Sequence, residues 1–350
     1  MFRQDGVAFS FSGTFRPCGL VVSQYNPVLR VFRWDFHLVS PRRFHPNARI
    51  ISCVRPCVIF NPAAKGEKAR RFRVALNHIA AKSVFKPTAA AGDARRLAAE
   101  AVREGHDTVV AAGGDGTLNE VLNGIGDVEE GFKSTRLGFI PLGTVNVFAR
   151  ELGIPLKPME AWSVIEGGHE REVDLPWIRW VRDGEMLRQY FTQLAGAGLD
   201  ARAIELVDWK IKKQIGPLAY VLAGLRALCE SPASLVATAG DQSVSGELVL
   251  IGNGKLYGGD FRVFPDAGMC DGLLEVCVFP RVGWMTLLRC GLPLVLSGRV
   301  PSGMVQRLRG STVQLQSSTR VPVEVDGELA GHLPVTVGVE PLGLRVIVPG

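Results

Sequence analysis

The sequence predicts an α/β protein with an N-terminal Rossmann-like parallel-sheet domain followed by a mostly antiparallel β-sandwich domain. Strand, turn and helix patterns alternate between residues 54 and 170, which is typical of a parallel sheet. From residue 171 to 350 the apolar runs become short, rich in Val and Leu, and separated by Gly, Pro or Asp, which is typical of a sandwich. A chain of 350 residues is also long for a single hydrophobic core.

In the first domain, nine elements follow from apolar periodicity and from breaks at Gly and Pro. Three of the predicted strands are followed by loops that begin at residues 61, 113 and 141. The carboxyl ends of parallel strands lie at one edge of a sheet, so these loops are expected to face one ligand site. The predicted strands cover residues 54–60, 83–86, 108–112 and 137–140, and the predicted helices cover 67–80, 94–103, 117–124, 147–152 and 159–165.

The loop after the third strand contains Gly113, Gly114 and Gly116 around Asp115. Glycine allows positive φ angles and a close approach of backbone N–H groups to a ligand. The helix that follows points the positive end of its dipole into the same turn, which favours a phosphate. A carboxylate at Asp115 makes electrostatic sense there beside a cation such as Mg²⁺ or as a proton acceptor. The alternative is an ordinary glycine-rich turn between a strand and a helix.

The second domain is predicted from nine short strands with one helical stretch among them. No internal repeat or low-complexity segment is present. The strands are expected at residues 172–180, 189–194, 235–239, 247–253, 272–280, 311–316, 322–325, 335–338 and 345–348, and the helical stretch at 201–229.

Residues 1–53 are predicted to be a poorly ordered extension, because they show no sustained period of 2 or 3.6 residues. A membrane-surface anchor is the alternative for this leader. Eight of the 40 Lys and Arg and two of the 34 Asp and Glu lie in residues 1–60, so the rest of the chain carries 32 of each sign. The formal charge of +6 therefore does not indicate a nucleic-acid groove.

Two further compositional features limit the class of protein. The seven Cys are scattered without a Cys-x-x-Cys pair, which favours reduced thiols in a cytoplasm over a disulfide framework or a zinc site. The longest apolar segment, residues 282–296, is interrupted by Arg289 and Pro293, so no span of a bilayer is predicted. That segment reads as an amphipathic or buried helix able to touch a membrane surface.

Several motifs occur together in order, and as a set they are specific. Asn61-Pro62-x-x-x-Gly66, Gly113-Gly114-Asp115-Gly116-Thr117-Leu118-Asn119-Glu120 and Pro141-Leu142-Gly143-Thr144-x-Asn146 lie in the first domain, and Asp271-Gly272-Leu273-Leu274 and Asp326-Gly327-Glu328 in the second. Residues 54–348 thereby resemble the diacylglycerol kinase catalytic domain superfamily, which includes bacterial soluble lipid kinases and the sphingosine and ceramide kinases.

The resemblance implies an ATP-dependent lipid kinase that takes its lipid between a nucleotide-binding domain (54–170) and a lipid-binding β-sandwich domain (171–350). It implies Glu328 as the base for the lipid hydroxyl, Asp326 as the second candidate, and Asp115 acting through Mg²⁺ on the ATP phosphates. The implied nucleotide-binding residues are Asn61, Thr88, Gly113, Gly114, Asp115, Gly116, Thr117, Leu118, Asn119 and Thr144, and the implied Mg²⁺ site is Gly268, Asp271 and Leu273.

The sequence departs from the family pattern at two positions. Val147 follows Asn146 where many members have Asp, and Lys65 precedes Gly66 where many have Ser. The lysine ammonium is expected either to meet a phosphate or to be solvated.

Other interpretations remain open. Asp-Gly between strands is a strong hairpin signal, so residues 326–328 are equally readable as a plain turn. A NAD kinase-like enzyme and a non-catalytic nucleotide or lipid sensor are the functional alternatives. A membrane-surface lipid and ATP are the expected partners, without nucleic acid, and a homodimer is left open.

Overall fold

The computed structural model describes residues 55–63, 67–206, 223–224, 226–298 and 300–350. Residues Ser52–Gly350 form one compact unit. The predicted extension 1–53, Lys65 and most of the predicted helical stretch 201–229 lie outside the described residues. In the part that is described, no helix is long and apolar enough to cross a membrane.

The first half of the chain forms a parallel sheet with helices on its faces, in the order β2–β1–β3–β4. Each predicted element is present, with ends that differ by one to three residues. The strands are β1 (Cys57–Phe60), β2 (Val84–Pro87), β3 (Thr108–Gly113) and β4 (Arg136–Pro141), and the helices are α1 (Glu67–Lys82), α2 (Asp93–Arg103), α3 (Asp115–Gly126), α4 (Gly131–Ser134), α5 (Val147–Glu151) and α6 (Pro158–Gly167).

The second half is a sandwich of antiparallel strands, as the sequence predicts. Its strands are β5 (Glu170–Arg182), β6 (Glu185–Tyr190), β7 (Leu194–Gly198), β8 (Leu235–Ala239), β9 (Gln242–Gly246), β10 (Leu248–Gly252), β11 (Leu256–Tyr257), β12 (Phe261–Arg262), β13 (Leu274–Phe279), β14 (Gln306–Gly310), β15 (Thr312–Ser317), β16 (Pro322–Val325), β17 (Glu328–His332) and β18 (Val335–Ile347), and its helices are α7 (Leu199–Glu205) and α8 (Trp284–Ser297).

Two strand predictions in this half are wrong. The predicted strand 189–194 is the end of β6 and the start of β7, because the chain crosses there from one sheet to the other. The two strands predicted at 335–338 and 345–348 are a single strand, β18, with a register shift between Glu340 and Leu344. The polar strands β9, β14 and β17 do not form apolar runs, because most positions in each are exposed or half-buried.

The long strand β18 joins the two halves. It pairs in parallel with β4 and antiparallel with β5 and β15, so one sheet runs from the parallel layer into the sandwich. A second sheet has the order β14–β13–β10–β7–β16–β17. The domain boundary near residue 170 therefore stays a prediction, at a point where the helical layer ends with α6 and β5 begins.

Three apolar clusters hold these layers together. One surrounds the parallel sheet, and a second, with Val249, Val276 and Val323, fills the space between the two sandwich sheets. The third lies on the outer face of the six-stranded sheet, where Cys277 and Phe279 pack with Cys290 of α8. Burial of these side chains on both faces of the six-stranded sheet explains why its central strands are apolar along their whole length.

Candidate active site

The loops that follow β1, β3 and β4 meet at one edge of the parallel sheet. Asn61 N donates to the carbonyl of Ala112 at 3.0 Å, and Leu142 N donates to the carbonyl of Gly113 at 2.7 Å. These bonds continue the strand pairing into the loops. The three motifs therefore lie side by side, as the order of the strands requires.

The glycines of the second and third motifs allow two backbones to touch. A Cβ built on Gly143 would lie 2.7 Å from the Cα of Gly114, closer than real side chains approach backbone. The loop after β4 is closed by its own Asn146, whose Oδ1 accepts from Gly143 N at 3.1 Å and whose Nδ2 donates to Gly143 O at 2.7 Å. A Cβ at Gly143 would therefore clash with backbone, and one at Gly114 would lie only 3.3 Å from Gly143 Cα, so the two turns pack directly against each other.

Asp115 fastens the same two turns to each other. Its Oδ2 accepts from Asn146 N at 2.9 Å, and its Oδ1 accepts from Val147 N at 3.0 Å, at the start of α5. Burial raises the pKa of the Asp115 carboxyl to about 6, the two backbone N–H groups counteract that shift, and the nearby charge of Asp326 adds to it. The arrangement assigns Asp115 a clamping role in addition to any role through a cation.

The other nucleotide-site predictions fall into two groups. Asn61 Nδ2 donates to Thr117 Oγ1 at 3.1 Å, Thr88 stands at the end of β2 with its N–H on Phe60 O at 2.8 Å, and Thr144 is exposed at the tip of the third loop. These side chains follow the ends of β1, β2 and β4, so they lie at the same edge of the sheet as Gly113, Gly114 and Gly116.

Leu118 and Asn119 point away from that mouth. The Leu118 side chain is fully buried in the core, and its N–H is bound to Gly114 O at 3.0 Å, so it has little to offer a ligand. Asn119 is 3% exposed and donates to Asp326 Oδ2 at 3.1 Å. The structure therefore gives these two residues packing and positioning roles.

The Asp326-Gly327 pair is the turn of the β16–β17 hairpin, as the plain-turn interpretation expects. Both residues have positive φ, 48° and 85°, the pattern of a type I′ turn, which favours Asp-Gly. The Asp326 carboxylate also contacts the segment between β6 and β7, where the chain passes from one sheet to the other. It accepts from the N–H groups of residues 192, 193 and 194, from the hydroxyl of residue 192 and from Asn119, at 2.7 to 3.2 Å.

Glu328, directly after this turn, lies against the glycine loop. A Cβ built on Gly116 would lie 2.5 Å from Glu328 Oε1, so the absence of a side chain at Gly116 leaves room for the carboxylate. Glu328 is exposed and its carboxylate lies at the glycine loop, whereas Asp326 is half-buried and its carboxylate faces residues 192–194 and Asn119. Glu328 is therefore the better placed of the two to accept a proton from a substrate.

The chain contains a second Asp-Gly-Glu turn that serves as an internal comparison. Asp183 and Gly184 connect β5 to β6 and also have positive φ, 53° and 82°. The Asp183 side chain is 93% exposed and lies 3.8 Å from its neighbour Arg182. Identical residues thus form the same turn in both places, but only the turn at 326–328 reaches the glycine loop.

A buried acid beneath the hairpin was missed by the sequence reasoning. Glu324 is fully buried, and its Oε2 accepts from Gly327 N at 2.8 Å. Burial raises the pKa of Glu324, and the charge of Asp200 adds to the shift. A Cβ on Gly196 would lie 2.7 Å from Glu324 Oε1 and 3.2 Å from Asp200 Oδ2. The sequence feature that could have revealed Glu324 is its position as an acidic residue between Val323 and Val325 of a buried strand.

The predicted metal-site residues lie together in one loop before β13. A Cβ on Gly268 would lie 2.9 Å from Asp271 Oδ2, and Leu273 N donates to Asp271 Oδ1 at 3.0 Å. Arg309 forms an ion pair with Asp271 Oδ2 at 2.7 Å. Among the described residues there is no cluster of three or more His, Cys, Asp or Glu that would hold a metal. One carboxylate with backbone carbonyls is an oxygen donor set that fits Mg²⁺, and Arg309 would compete for it.

Comparison with known proteins agrees with this geometry. A family profile described as the diacylglycerol kinase catalytic domain matches residues 55–178, and one described as the YegS C-terminal NAD kinase beta sandwich-like domain matches residues 193–348. The diacylglycerol kinase of Staphylococcus saprophyticus is 32% identical over 292 residues, which cover 80% of this chain and 90% of the relative. The chain belongs to the diacylglycerol kinase family.

Other members of the diacylglycerol kinase family extend the match. The Staphylococcus carnosus diacylglycerol kinase is 31% identical over 290 residues, covering 80% of this chain and 90% of that one. A crystal structure of a diacylglycerol kinase from Bacillus anthracis str. Sterne has the same fold, with a TM-score of 0.66 and 24% identity over 84% of this chain and 97% of that chain. The family assignment, the kinase class and the two-part α/β and β-sandwich fold predicted from the motifs are thus confirmed.

Proposed function

We propose that this kinase transfers the γ-phosphate of ATP to a hydroxyl of diacylglycerol or a related lipid. The observation that carries the proposal is the contact between Glu328 and Gly116, because it joins a carboxylate from the sandwich to the anion-binding turn of the parallel sheet. A NAD kinase-like activity and a non-catalytic sensor remain outcomes of the test below.

In this proposal, each part of the site has a separate task. The glycine turn and the start of α3 bind the phosphates through backbone N–H groups. Glu328 accepts the proton of the lipid hydroxyl as its oxygen forms a bond to the γ-phosphorus, and ADP departs with the electrons of the broken bond. Asp326 holds the hairpin in register with α3 through Asn119, and Asp115 holds the two turns together.

Mg²⁺ would supply charge neutralisation on the transferring phosphates. A second, structural Mg²⁺ is proposed at Gly268, Asp271 and Leu273, where the carboxylate of Asp271 and backbone carbonyls are the available oxygen ligands. The ion pair between Asp271 and Arg309 would have to rearrange. Asp271→Asn is therefore expected to raise the Mg²⁺ concentration needed for half-maximal activity, while Arg309→Gln is expected to lower it.

We further propose that the enzyme is cytoplasmic and works at a membrane surface, because its acceptor lies in a bilayer. A homodimer stays a prediction that sedimentation would test.

The deciding experiment is phosphate transfer from labelled ATP to lipids in mixed micelles. The acceptor panel contains diacylglycerol, monoacylglycerol, sphingosine, ceramide, phosphatidylglycerol and undecaprenol, with NAD as a separate acceptor. Glu328→Gln is compared with Glu185→Gln, which changes the matching residue of the exposed Asp-Gly-Glu turn.

We expect one lipid class to be labelled, a loss of about 10²–10⁴-fold in kcat for Glu328→Gln, and no change for Glu185→Gln. Labelling of NAD alone would replace the lipid kinase proposal with a NAD kinase-like activity. ATP binding with no labelled acceptor would favour the sensor.

A further inference from the structure

Helix α8 exposes an unusual amount of apolar surface. Trp284 is 54% exposed, Met285 61%, Leu288 67% and Leu296 76%. At about 100° per residue, these four side chains and the exposed Arg289 fall within an arc of about 140° on one side of the helix. The other side packs through Cys290 and Leu294 on the outer face of the six-stranded sheet. The helix is thus apolar on both sides.

The sequence around α8 is also one-sided in charge. Residues 276–323 contain six Arg and no Asp or Glu. Arg281 and Arg289 are exposed, and neither forms an ion pair with a described residue. Two carboxylates near the ends of α8 already have partners, since Glu247 Oε2 accepts from Val282 N at 2.6 Å and Asp260 pairs with Arg150 at 2.8 Å. The apolar face is therefore bordered by positive charge that lacks a protein partner in the described structure.

The two ends of α8 border two openings of the molecule. At its C-terminal end, Leu294 and Gly298 line a cavity of about 460 Å³ together with Thr144 and Val145 of the third motif. Just before its N-terminal end, Val282 lines a cavity of about 690 Å³ together with His332 of β17, the strand that begins at Glu328. The two ends of α8 thus share cavities with the third motif and with β17, the strand that begins at Glu328.

We propose that the exposed face of α8, formed by Trp284, Met285, Leu288 and Leu296, enters the interfacial layer of an anionic bilayer while Arg281 and Arg289 contact lipid phosphates. Apolar side chains bordered by arginines match such a surface, and Trp is suited to the boundary between headgroups and acyl chains. The proposal rests on the proposed function in that a lipid acceptor must be drawn from a bilayer. It names the surface that faces that bilayer.

The test is co-sedimentation of the full chain with vesicles of phosphatidylcholine alone and of phosphatidylcholine mixed with phosphatidylglycerol. The double variant Met285→Ser/Leu288→Ser is compared with Met186→Ser, which removes an equally exposed methionine (66% exposed) from β6. We expect the α8 variant to bind mixed vesicles more weakly than the wild type, by a factor of about ten or more. The Met186 variant is expected to bind like the wild type. Arg281→Ser/Arg289→Ser is expected to abolish the preference for the anionic vesicles, as is high salt.

Three outcomes would overturn the proposal: no vesicle binding by the wild type, equal binding by the wild type and the α8 variant, or loss of a dimer in that variant with vesicle binding retained. The last result would identify a second copy of the chain as the partner of α8. Thermal unfolding of each variant, expected to match the wild type, checks that the fold is kept.

The failure of the lipid kinase proposal is separable from the failure of this one. Short-chain diacylglycerol dispersed in water needs no bilayer, so the α8 variants should phosphorylate it at the wild-type rate. A wild type that binds anionic vesicles but phosphorylates no lipid would refute the kinase function and leave the membrane surface standing.

Discussion

The carboxylate of Asp326 is predicted to stabilise the fold far more than that of Asp183, although the two residues occupy the same position in turns of the same type. The comparison uses Asp326→Asn and Asp183→Asn. Asn tolerates positive φ well, so neither substitution strains the turn. The difference between the two variants then reports the tertiary contacts alone.

The magnitude follows from the donors around Asp326. Its Oδ1 accepts from the N–H groups of Gln193 and Leu194, and its Oδ2 from three further donors. In Asn one oxygen becomes an NH₂ group, so at least two donors lose their acceptor. At about 1–3 kcal/mol for each unsatisfied buried group, the free energy of unfolding should fall by roughly 3–5 kcal/mol. Asp183→Asn should change it by less than about 0.5 kcal/mol.

The assay is urea unfolding followed by circular dichroism, with thermal unfolding as a second readout. For a chain of this size, the loss in Asp326→Asn should lower Tm by roughly 4–7 °C. Glu328→Gln, two residues away, should unfold like the wild type while losing activity. Equal stability of Asp326→Asn and Asp183→Asn would refute the positioning role of Asp326, because the two or three hydrogen bonds lost in Asp326→Asn cannot be removed without a cost.

Three further predictions concern the glycine turn. Gly116→Ala places a Cβ 2.5 Å from Glu328 Oε1, so kcat should fall by about 10²-fold with little change in Tm. An unchanged kcat would contradict a role of Glu328 in phosphate transfer. Gly143→Ala places a Cβ 2.7 Å from the Cα of Gly114, and the overpacking should cost about 1–3 kcal/mol of unfolding free energy and weaken ATP binding measured by calorimetry. Because burial raises the pKa of Asp115 from 3.8 to about 6, the stability that its protonation confers is absent at about pH 7 and is gained as pH falls, by roughly 2 kcal/mol at about pH 4 and roughly 3 kcal/mol below about pH 3. The unfolding free energy of the wild type minus that of Asp115→Ala should therefore rise on acidification, and a flat difference would contradict the raised pKa.

The parallel sheet and its three loops could be read from the sequence because the relevant signals are local. Apolar runs that end at Gly113 or Asn61 predict strand and turn whatever the rest of the chain does. The points that were missed depend on partners far away in the chain. The crossing between β6 and β7 is not apparent in the sequence, since residues 189–194 were predicted as one strand, and it is stabilised by a carboxylate more than 130 residues later.

The site residues show the same division. Leu118 and Asn119 belong to the glycine motif by sequence, but the helical geometry of α3 turns the first into the core and the second toward Asp326. Glu324 belongs to none of the motifs, and its place in the site follows only from its burial beneath the 326–328 turn.

The two Asp-Gly-Glu segments show what the sequence by itself determined and what it did not. Positive φ at Asp and Gly is a local preference, so the sequence alone determines a tight turn at both 183–185 and 326–328. Which turn lies against the glycine loop was decided by tertiary structure, since the strand order of the six-stranded sheet brings β17 there. A local rule acts within a few residues, whereas the contact between Gly116 and Glu328 depends on how the entire chain between them packs.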